Sequence, residues 1–207
     1  MDRMVFYEPA DRDRTLFPHD PFKAIVAPRP IGWISTRTAD GTTNLAPYSF
    51  FNAVGDRPPM VMFSSTGMKD TASLALESGE FCWNLATLAL AEQMNTTSRP
   101  LARGENEAEV AGLELLPGRM IGAPRVADSP ASLECAVVHS TRLRDRHGVE
   151  VDQWLVVGEV VGVHVDPALI TGDGRFDTRV AQPVMRAGYA DEYFVADTMV
   201  RMARPSA

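Results

Sequence analysis

The segment from Arg29 to Thr71 constrains the fold of this chain more than any other. Its first part, Ile31 to Thr38, is a run of β-forming residues that ends at Asp40-Gly41. An Asp-Gly pair between two apolar runs predicts a β-hairpin, because glycine accepts the positive φ that such turns need. The second strand, Thr43 to Asn52, contains Pro47, which cannot donate to a β-ladder. The sequence therefore predicts a hairpin whose second strand lies at a sheet edge, carries a bulge or bends away at Pro47.

The segment after a third strand, Met60 to Phe63, has the composition of an anion site. A short helix is predicted to begin near Lys69, and the first N–H groups of a helix lack intrahelical partners and carry partial positive charge. The Lys69 ammonium and nearby hydroxyls would complete a phosphate cradle around these groups. The hydroxyls belong to Ser64, Ser65, Thr66 and Thr71. In the alternative hypothesis, Asp70 or Thr66 caps the helix and Lys69 is solvated.

The length and the net charge limit the classes of protein to which this chain can belong. A chain of 207 residues fits one domain, for which we predict an N-terminal arm over residues 1–20 and a single domain over residues 21–207. The formal net charge of −7 argues against nucleic acid as a partner, because nucleic-acid binders usually carry a basic face. No apolar run approaches the roughly 18 residues of a membrane span, and the N-terminal segment lacks the apolar core of a signal peptide. We therefore expect a cytoplasmic protein that binds neither nucleic acid nor a membrane.

The residues that most often carry protein chemistry form no familiar motif here. Cys82 and Cys135 lie on different predicted strands, and without secretory signals we expect two buried free thiols rather than a disulfide. The four histidines show no paired spacing that would support a zinc site. The sequence contains neither GxSxG nor GxGxxG, so nothing indicates a serine hydrolase or a Rossmann dinucleotide site.

Two long strands are predicted in the second half, at Ser132–Leu143 and Gln153–Val165. The second is apolar on both faces, and its glycines, Gly158 and Gly162, are natural bend points, so it is predicted to be a coiled barrel strand. A small barrel has only one interior to fill, so the outward valines predict a homodimer. The polar exceptions, Glu159 and His164, are expected to be hydrogen-bonded at a rim or dimer interface rather than catalytic.

Several segments resemble the flavin reductase-like family of FMN-binding split barrels. The resemblance is carried first by RPIGWIST, DGTTNLAPYSFFN, PPMVMFS, KDT and FCWN. Further along the chain it is carried by AGLELLPG, SLECAVV, LVVGEVVGVHVD and MRAGYADEY, so that it extends from about Pro21 to Tyr193. It implies a mainly β fold, a Greek-key split β-barrel with short peripheral helices, for which the strand pattern predicts six strands.

The same resemblance implies where FMN would bind. The edge of the isoalloxazine ring is expected on the proline-broken strand, at Asn44, Ala46, Pro47, Tyr48, Ser49 and Phe50. The ribityl phosphate is expected at Ser64, Ser65, Lys69, Asp70 and Thr71. Arg186 and Tyr189 are second-rank candidates near the flavin or the subunit boundary, and Arg103 stands in a loop where the family commonly has a lysine. No protein side chain is expected to be catalytic, because the flavin performs the chemistry.

Three functions remain open from the sequence. The first is an NAD(P)H:FMN oxidoreductase that supplies reduced flavin or electrons to a partner monooxygenase or redox protein, with NAD(P)H as a transient hydride donor. The second is an electron carrier resembling flavoredoxin, which retains its FMN and exchanges electrons with another protein. The third is a non-redox flavin-binding module. The sequence does not distinguish NADH from NADPH.

Overall fold

The computed structural model describes residues 3–101 and 105–205, and β-strands dominate it. Most of the strands are short, but two near the centre of the chain have 14 and 16 residues. In chain order the strands are β1 (Arg29–Pro30), β2 (Gly32–Arg37), β3 (Thr43–Tyr48), β4 (Phe51–Asp56), β5 (Pro59–Thr66), β6 (Glu80–Asn84), β7 (Leu115–Leu116), β8 (Arg125–Val126), β9 (Ala131–Arg144), β10 (Glu150–Val165), β11 (Val184–Arg186) and β12 (Tyr193–Val195).

Short helices connect the strands. They are α1 (Phe22–Ile25), α2 (Asp70–Ser78), α3 (Ala91–Thr96), α4 (Glu107–Val110) and α5 (Thr178–Ala181), with 3-10 turns at Pro9–Asp11, Leu88–Leu90 and Pro167–Leu169. Helix α2 ends where the sequence predicts, at Gly79, which adopts a φ of 74°. No helix in residues 3–101 and 105–205 is long and apolar enough to cross a membrane.

One antiparallel sheet of seven strands forms the barrel. Its strand order is β3-β2-β6-β9-β10-β5-β4. The two edge strands, β3 and β4, are consecutive in the chain and only Ser49 and Phe50 separate them. The sheet therefore curls until its edges approach, and at the junction Ser64 N–H donates to the Phe50 carbonyl at 2.8 Å. The predicted mainly β split barrel with short helices is confirmed.

The strand count differs from the prediction because one predicted strand is divided. Thr43 to Asn52 was expected to be a single strand, but the chain bends at Ser49 and Phe50 and passes from one edge of the sheet to the other. The barrel therefore has seven strands rather than six. Met60–Phe63 likewise extends to Pro59–Thr66, so Ser64 and Ser65 lie within a strand rather than in a loop.

Pro47 lies at a sheet edge, the first of the three predicted alternatives. Strand β3 has only β2 as a neighbour, and Pro47 is paired with Trp33. Two residues earlier, Leu45 N–H points away from β2 and donates to Glu107 Oε2 at 3.1 Å. Because backbone groups two residues apart on a strand point to the same side, position 47 also faces outward. A missing N–H breaks no ladder bond there, which explains why proline is tolerated.

The barrel interior and its outer helical layer form two apolar clusters. The interior cluster contains Ile34, Phe51, Val61, Phe63, Phe81, Cys135 and Val156, and α2 packs on it through Ala72 and Ala75. The other cluster contains Ile31, Trp33, Leu45, Leu90, Met94, Leu113, Val126 and Val184. Consecutive residues of β2, Trp33 and Ile34, belong to different clusters, as expected for a strand buried on both faces.

The long hairpin of β9 and β10 bends at the predicted glycines. The pairing register shifts between Val157 and Gly158 and again between Val160 and Gly162. A Cβ atom at Gly158 would lie 2.6 Å from the Phe81 ring, so the strand can cross the core closely only because this residue is glycine. Beyond these bends, Val163 remains 63% exposed on the outer face.

Cys82 and Cys135 are free and buried, as the sequence predicts. They lie on the neighbouring strands β6 and β9, where Cys135 faces Phe81 and Cys82 faces Glu134. Burial raises the pKa of both thiols, that of Cys135 to about 12, and the nearby Glu134 carboxylate contributes to both shifts. Neutral thiols in such surroundings are poor nucleophiles.

His164 lies near the C-terminal end of β10 and is hydrogen-bonded, as predicted. Its Nε2 atom contacts Oε1 of Glu134, whose side chain is completely buried. The same carboxylate accepts backbone N–H groups of residues 119, 120 and 121. Burial alone would raise the pKa of Glu134, but the hydrogen bonds from His164 and these backbone groups lower it to about 2. The pair therefore fixes a loop to the barrel wall.

The N-terminal segment lies outside the barrel. From residue 3 to residue 20 it contains one 3-10 turn, and its contacts include a Tyr7–Phe17 ring pair. The rings of His19 and Tyr189 lie 5.8 Å apart, which brings the segment against the C-terminal part of the chain. The division at residue 20 stays a prediction. Arg103 lies outside the described residues.

Candidate functional site

A cavity of about 770 Å³ opens beside the edge strand β3. Its walls come from β1, α1, α3, β11 and the segment that leads into β12, and the proline-broken strand contributes Pro47 and Ser49. This volume lies within the roughly 300–1,000 Å³ range of small-molecule sites. The cavity is therefore the first candidate for a ligand site, and two of the predicted flavin-binding residues border it.

The lining of this cavity is positively charged. Lys23, Arg29 and Arg186 border it, and among the described residues Asp20 is the one acidic residue in the lining. Asp20 is already engaged, because its carboxylate lies 3.5 Å from Arg12 and accepts the Phe22 N–H at 3.0 Å. Uncompensated positive charge in a concave site favours an anionic ligand.

Arg29 is the most buried of the three cations, with 6% of its surface exposed. Its guanidinium donates to the carbonyls of Lys23, Val26 and Ala187, at 3.3 Å and 2.9 Å for the last two. These bonds tie α1 to the C-terminal segment. Burial, followed by the charge of Arg186, lowers the pKa of Arg29.

Asn44 lies in a polar network next to this cavity rather than in its lining. Its Nδ2 donates to Glu107 Oε1 at 2.9 Å, and its Oδ1 accepts the Thr71 hydroxyl at 2.5 Å. The Glu107 carboxylate also accepts the Leu45 N–H. The edge of β3 is thus bound to α4 and α2, and both polar atoms of the Asn44 side chain have protein partners.

Tyr48, Ser65 and Thr71 extend the same network. Thr71 and Ser65 are buried, and the Ser65 hydroxyl donates to the Gly67 carbonyl at 2.9 Å. Burial raises the pKa of Tyr48, while side-chain hydrogen bonds with Thr71 and Ser65 act in the opposite direction. These hydroxyls hold the corner between β5 and α2 together.

The start of α2 lacks the side-chain cap that one of the two predicted alternatives required. The N-cap position is Lys69, and no side chain in the described residues caps the helix, so neither Asp70 nor Thr66 does. Lys69 and Asp70 are exposed. The Ser64 hydroxyl accepts a hydrogen bond of 2.6 Å from Nε2 of Gln153, which lies on β10, the strand paired with β5. The predicted cap by Asp70 or Thr66 is therefore wrong, whereas the exposure of Lys69 agrees with the same alternative.

A second cavity, of about 250 Å³, lies next to this corner. It is bordered by Asn44 and Asp70, and its other acidic residues are Asp40, Glu77, Glu105 and Glu107. Lys69 does not line it. One polar network thus joins four of the predicted residues, Asn44, Tyr48, Ser65 and Thr71. Two others, Pro47 and Ser49, line the cationic cavity instead.

The sequence singled out Arg186 and Tyr189 only as second-rank candidates and did not consider Lys23 or Arg29 at all. All four line the cationic cavity. The signal for Arg29 was present in RPIGWIST, which carried the family resemblance. Its position opposite Arg186 depends on the pairing of β1 with β11, which no local pattern predicts.

The residues present fit a flavin mononucleotide in general terms. The cavity is large enough for a planar ring system, its outer strand is edge-exposed at Pro47, and its lining is cationic. Arg29 contributes its positive charge to this lining, although its Nε atom is buried and has no hydrogen-bond partner in the described residues. The flat ring of FMN matches the volume and the exposed edge strand, and the cationic lining favours an anionic group on a ligand.

The chain is thus a split barrel with a cationic cavity at its edge strand, and comparisons with known proteins identify the family to which it belongs. The sequence model of the flavin reductase like domain matches residues 26–178. The chain therefore belongs to the flavin reductase-like family. A Deinococcus radiodurans protein, named only as uncharacterized, is 39% identical over 171 residues, covering 75% of each chain.

Two solved structures extend the comparison to nearly the full length. Nitrilotriacetate monooxygenase component B from Bacillus cereus is 26% identical, with a TM-score of 0.86 over 98% of this chain and 100% of that chain. The 2-nitrobenzoate 2-nitroreductase NbaA from Pseudomonas fluorescens is also 26% identical, with a TM-score of 0.82 over 97% and 96%. Family and fold together support a flavin-binding redox function.

Proposed function

We propose that this protein is an NAD(P)H:FMN oxidoreductase. The observation that carries the proposal is the cavity of about 770 Å³ at the open edge of a flavin reductase-like barrel, with Pro47 and Ser49 on one side and three cations on the other. Bound FMN would supply the hydride chemistry, so the protein needs no nucleophile or acid of its own.

In this proposal the chain binds and orients the flavin. The segment Asn44–Phe50 holds the isoalloxazine edge, and the corner formed by Ser64, Ser65, Lys69, Asp70 and Thr71 holds the phosphate. The network of Asn44, Thr71 and Glu107 fixes the edge strand against α2 and α4 before the ligand arrives. Such prior ordering lowers the entropy that binding must overcome. The cavity then admits the nicotinamide ring of the hydride donor.

We further propose that the reduced flavin or its electrons pass to a partner, most simply a monooxygenase. The Bacillus cereus neighbour, which covers 98% of this chain, is a monooxygenase component by name. The Pseudomonas fluorescens neighbour is a nitroreductase by name, which supports a small aromatic acceptor as the second candidate. These two assignments differ in where the electrons go, not in how the flavin is held.

The decisive experiment is anaerobic reduction of the FMN-loaded protein. NADH or NADPH is added in stoichiometric amount, and loss of flavin absorbance near 450 nm is followed by stopped flow. We expect rapid bleaching with one of the two donors. A flavin that stays oxidised with both would contradict the reductase assignment and leave a carrier or a non-redox module. Gel filtration of the reduced sample then separates a reductase that releases its flavin from a flavoredoxin-like carrier that retains it.

A further inference from the structure

Arg29 and Arg186 lie directly opposite each other. Strand β1 pairs antiparallel with β11, and the register places Arg29 against Arg186 and Pro30 against Met185. Like charges at directly opposed positions of an antiparallel pair are destabilising. The charge of Arg186 also contributes to lowering the pKa of Arg29, after burial. The fold therefore holds two like charges close together, which lowers its stability.

No carboxylate offsets this charge within the described residues, where neither guanidinium forms a salt bridge. Arg186 uses neutral partners instead. Its Nη1 donates to the Tyr193 hydroxyl at 2.5 Å, its Nη2 donates to the Ala190 carbonyl, and its guanidinium lies 4.7 Å from the Tyr193 ring centre. These contacts orient the side chain and leave its charge uncompensated.

Arg29 retains an unused donor. Its Nη atoms bind backbone carbonyls, but Nε is buried and has no hydrogen-bond partner. A buried N–H of a charged group without an acceptor is costly. Nε itself has no accessible surface at the cavity, so Arg29, which borders the cavity, acts on a ligand there through its positive charge.

The surroundings of the pair are rigid and aromatic. Lys23 Nζ and the Arg29 guanidinium each lie 5.9 Å from the centre of the Phe50 ring. The wall behind Arg186 is tightly packed, since a Cβ atom at Gly188 would lie 2.4 Å from Ala24 Cβ. Lys23 and Arg29 thus lie beside the Phe50 ring, and the backbone two residues beyond Arg186 is tightly packed against Ala24.

We propose that Arg29, Arg186 and Lys23 form an oxyanion-binding subsite for the molecule that exchanges electrons with the flavin, which therefore carries a phosphate or carboxylate group. This inference rests on the proposed function and deepens it, because it names the chemistry that the second ligand must have. The FMN phosphate is assigned elsewhere, to the corner at Lys69, so the subsite serves the nicotinamide nucleotide or an aromatic acid. Guanidinium groups suit both, since their planar donors match phosphate and carboxylate oxygens.

The first test measures binding without any turnover. Inorganic pyrophosphate and benzoate are titrated separately into flavin-free protein by isothermal calorimetry. The variants are Arg186→Gln and Lys23→Gln, with Arg186→Lys to retain the charge and Arg175→Gln as the matched control, because Arg175 is exposed and paired with Asp173. We expect wild type, Arg175→Gln and, more weakly, Arg186→Lys to bind at least one anion. Arg186→Gln and Lys23→Gln should each weaken it tenfold or more.

The second test separates the two sources of the anion and uses the FMN-loaded protein. NADH is compared with 1-benzyl-1,4-dihydronicotinamide, which lacks phosphate, and 2-nitrobenzoate is compared with nitrobenzene. We expect Arg186→Gln and Lys23→Gln to raise KM at least tenfold for the charged member of one pair. KM for its neutral counterpart and kcat should stay within about twofold. The pair that responds identifies a phosphate or a carboxylate.

Several results would overturn the subsite. One is wild-type protein that binds neither pyrophosphate nor benzoate, and another is equal binding by wild type and both Gln variants. A third is a loss of FMN affinity in both Gln variants with riboflavin unaffected, which would assign the pair to the flavin phosphate. If wild-type protein still reduces FMN, these results reject the subsite and leave the reductase assignment intact. Folding is checked by thermal unfolding, and because Lys23 is exposed, Lys23→Gln keeps the test valid if Arg186→Gln is unstable.

Discussion

The hydroxyl of Thr71 donates a 2.5 Å hydrogen bond to Oδ1 of Asn44, and this contact joins the first turn of helix α2 to the edge strand β3. Because Asn44 also binds Glu107, one amide connects the three elements around the proposed flavin phosphate corner. Its contribution to ligand binding and its contribution to stability are therefore coupled, and the experiment has to measure both.

Asn44→Ala should lower both the free energy of unfolding and the affinity for FMN. Loss of the amide leaves the buried Thr71 hydroxyl without its acceptor, which costs about 1–3 kcal/mol of stability. We expect FMN affinity to fall by about 1–2 kcal/mol, because the edge strand loses its hydrogen bonds to α2 and α4 and must be ordered when FMN binds. Urea unfolding and fluorescence titration provide the two values. The matched control is Asn52→Ala, because Asn52 is exposed on β4 and accepts from the N–H of its neighbour Ala53. Unchanged FMN affinity beside reduced stability would show that Asn44 is purely structural.

Lys69→Ala should weaken FMN binding without affecting riboflavin. An ammonium that contacts the phosphate contributes about 1.5–3 kcal/mol, or roughly ten- to a hundredfold in affinity. Riboflavin lacks the phosphate and should bind the variant and the wild type alike. Arg175→Ala serves as the control for general charge effects and should alter neither affinity. Equal weakening of both ligands in Lys69→Ala would reject the phosphate assignment.

Acid should destabilise the protein through Glu134. Its folded pKa of about 2 lies below the ordinary 4.5, so its stabilisation is fully present above pH 4.5 and is lost as the pH falls toward 2. A shift of this size corresponds to a loss on the order of 3 kcal/mol. We expect the free energy of unfolding of wild type to fall more steeply between pH 5 and 2.5 than that of Glu134→Gln. Parallel curves would mean that the carboxylate is not held ionised by His164 and the backbone.

Neither His164 nor the two cysteines should be catalytic. The thiols are buried with raised pKa values, so Ellman's reagent should label the native protein slowly and both thiols promptly in guanidinium chloride. Flavin reduction rates of Cys82→Ser and His164→Ala should stay within a few-fold of wild type. Loss of turnover in His164→Ala, with FMN binding intact, would identify it as a catalytic group that its contact with Glu134 had concealed.

The protein should be a homodimer. Val161, Val163 and Val165 are 38%, 63% and 38% exposed along one face of β10, and contiguous apolar surface of this kind is rare on monomers. Light scattering at micromolar concentration should give twice the mass of the chain. Val163→Lys should shift the protein toward monomer, whereas Val180→Lys, at a 56% exposed position on α5, should not. A monomeric wild type would contradict the prediction.

Most of the barrel could be predicted from local sequence. Asp40-Gly41 marks the first turn, Gly79 ends α2, and Gly158 and Gly162 coincide with the register shifts of β10. These features follow from backbone conformation and steric fit, which short segments determine by themselves. The division of Thr43–Asn52 was missed because a bend at Ser49 and Phe50 depends on which sheet edges the chain must connect.

Less of the candidate site than of the barrel could be predicted from the sequence. The hydroxyls of Ser65 and Thr71 were assigned to a phosphate, but the structure pairs them with protein groups first. The Leu45 N–H donates to Glu107, which lies on a helix more than 60 residues away, and the sequence did not predict this partner. Hydrogen-bond partners at such distances are fixed by packing, not by local pattern.

The sequence by itself determined the hairpin, the bent barrel strand, the free thiols and the family, because glycine, proline and alternating apolar residues act over a few positions. Only the tertiary structure decided where charge accumulates. Arg29 reaches the carbonyl of Ala187, 158 residues away, because β1 pairs with β11. That pairing places Arg29 opposite Arg186 at the cavity, and no property of either residue alone could have indicated it.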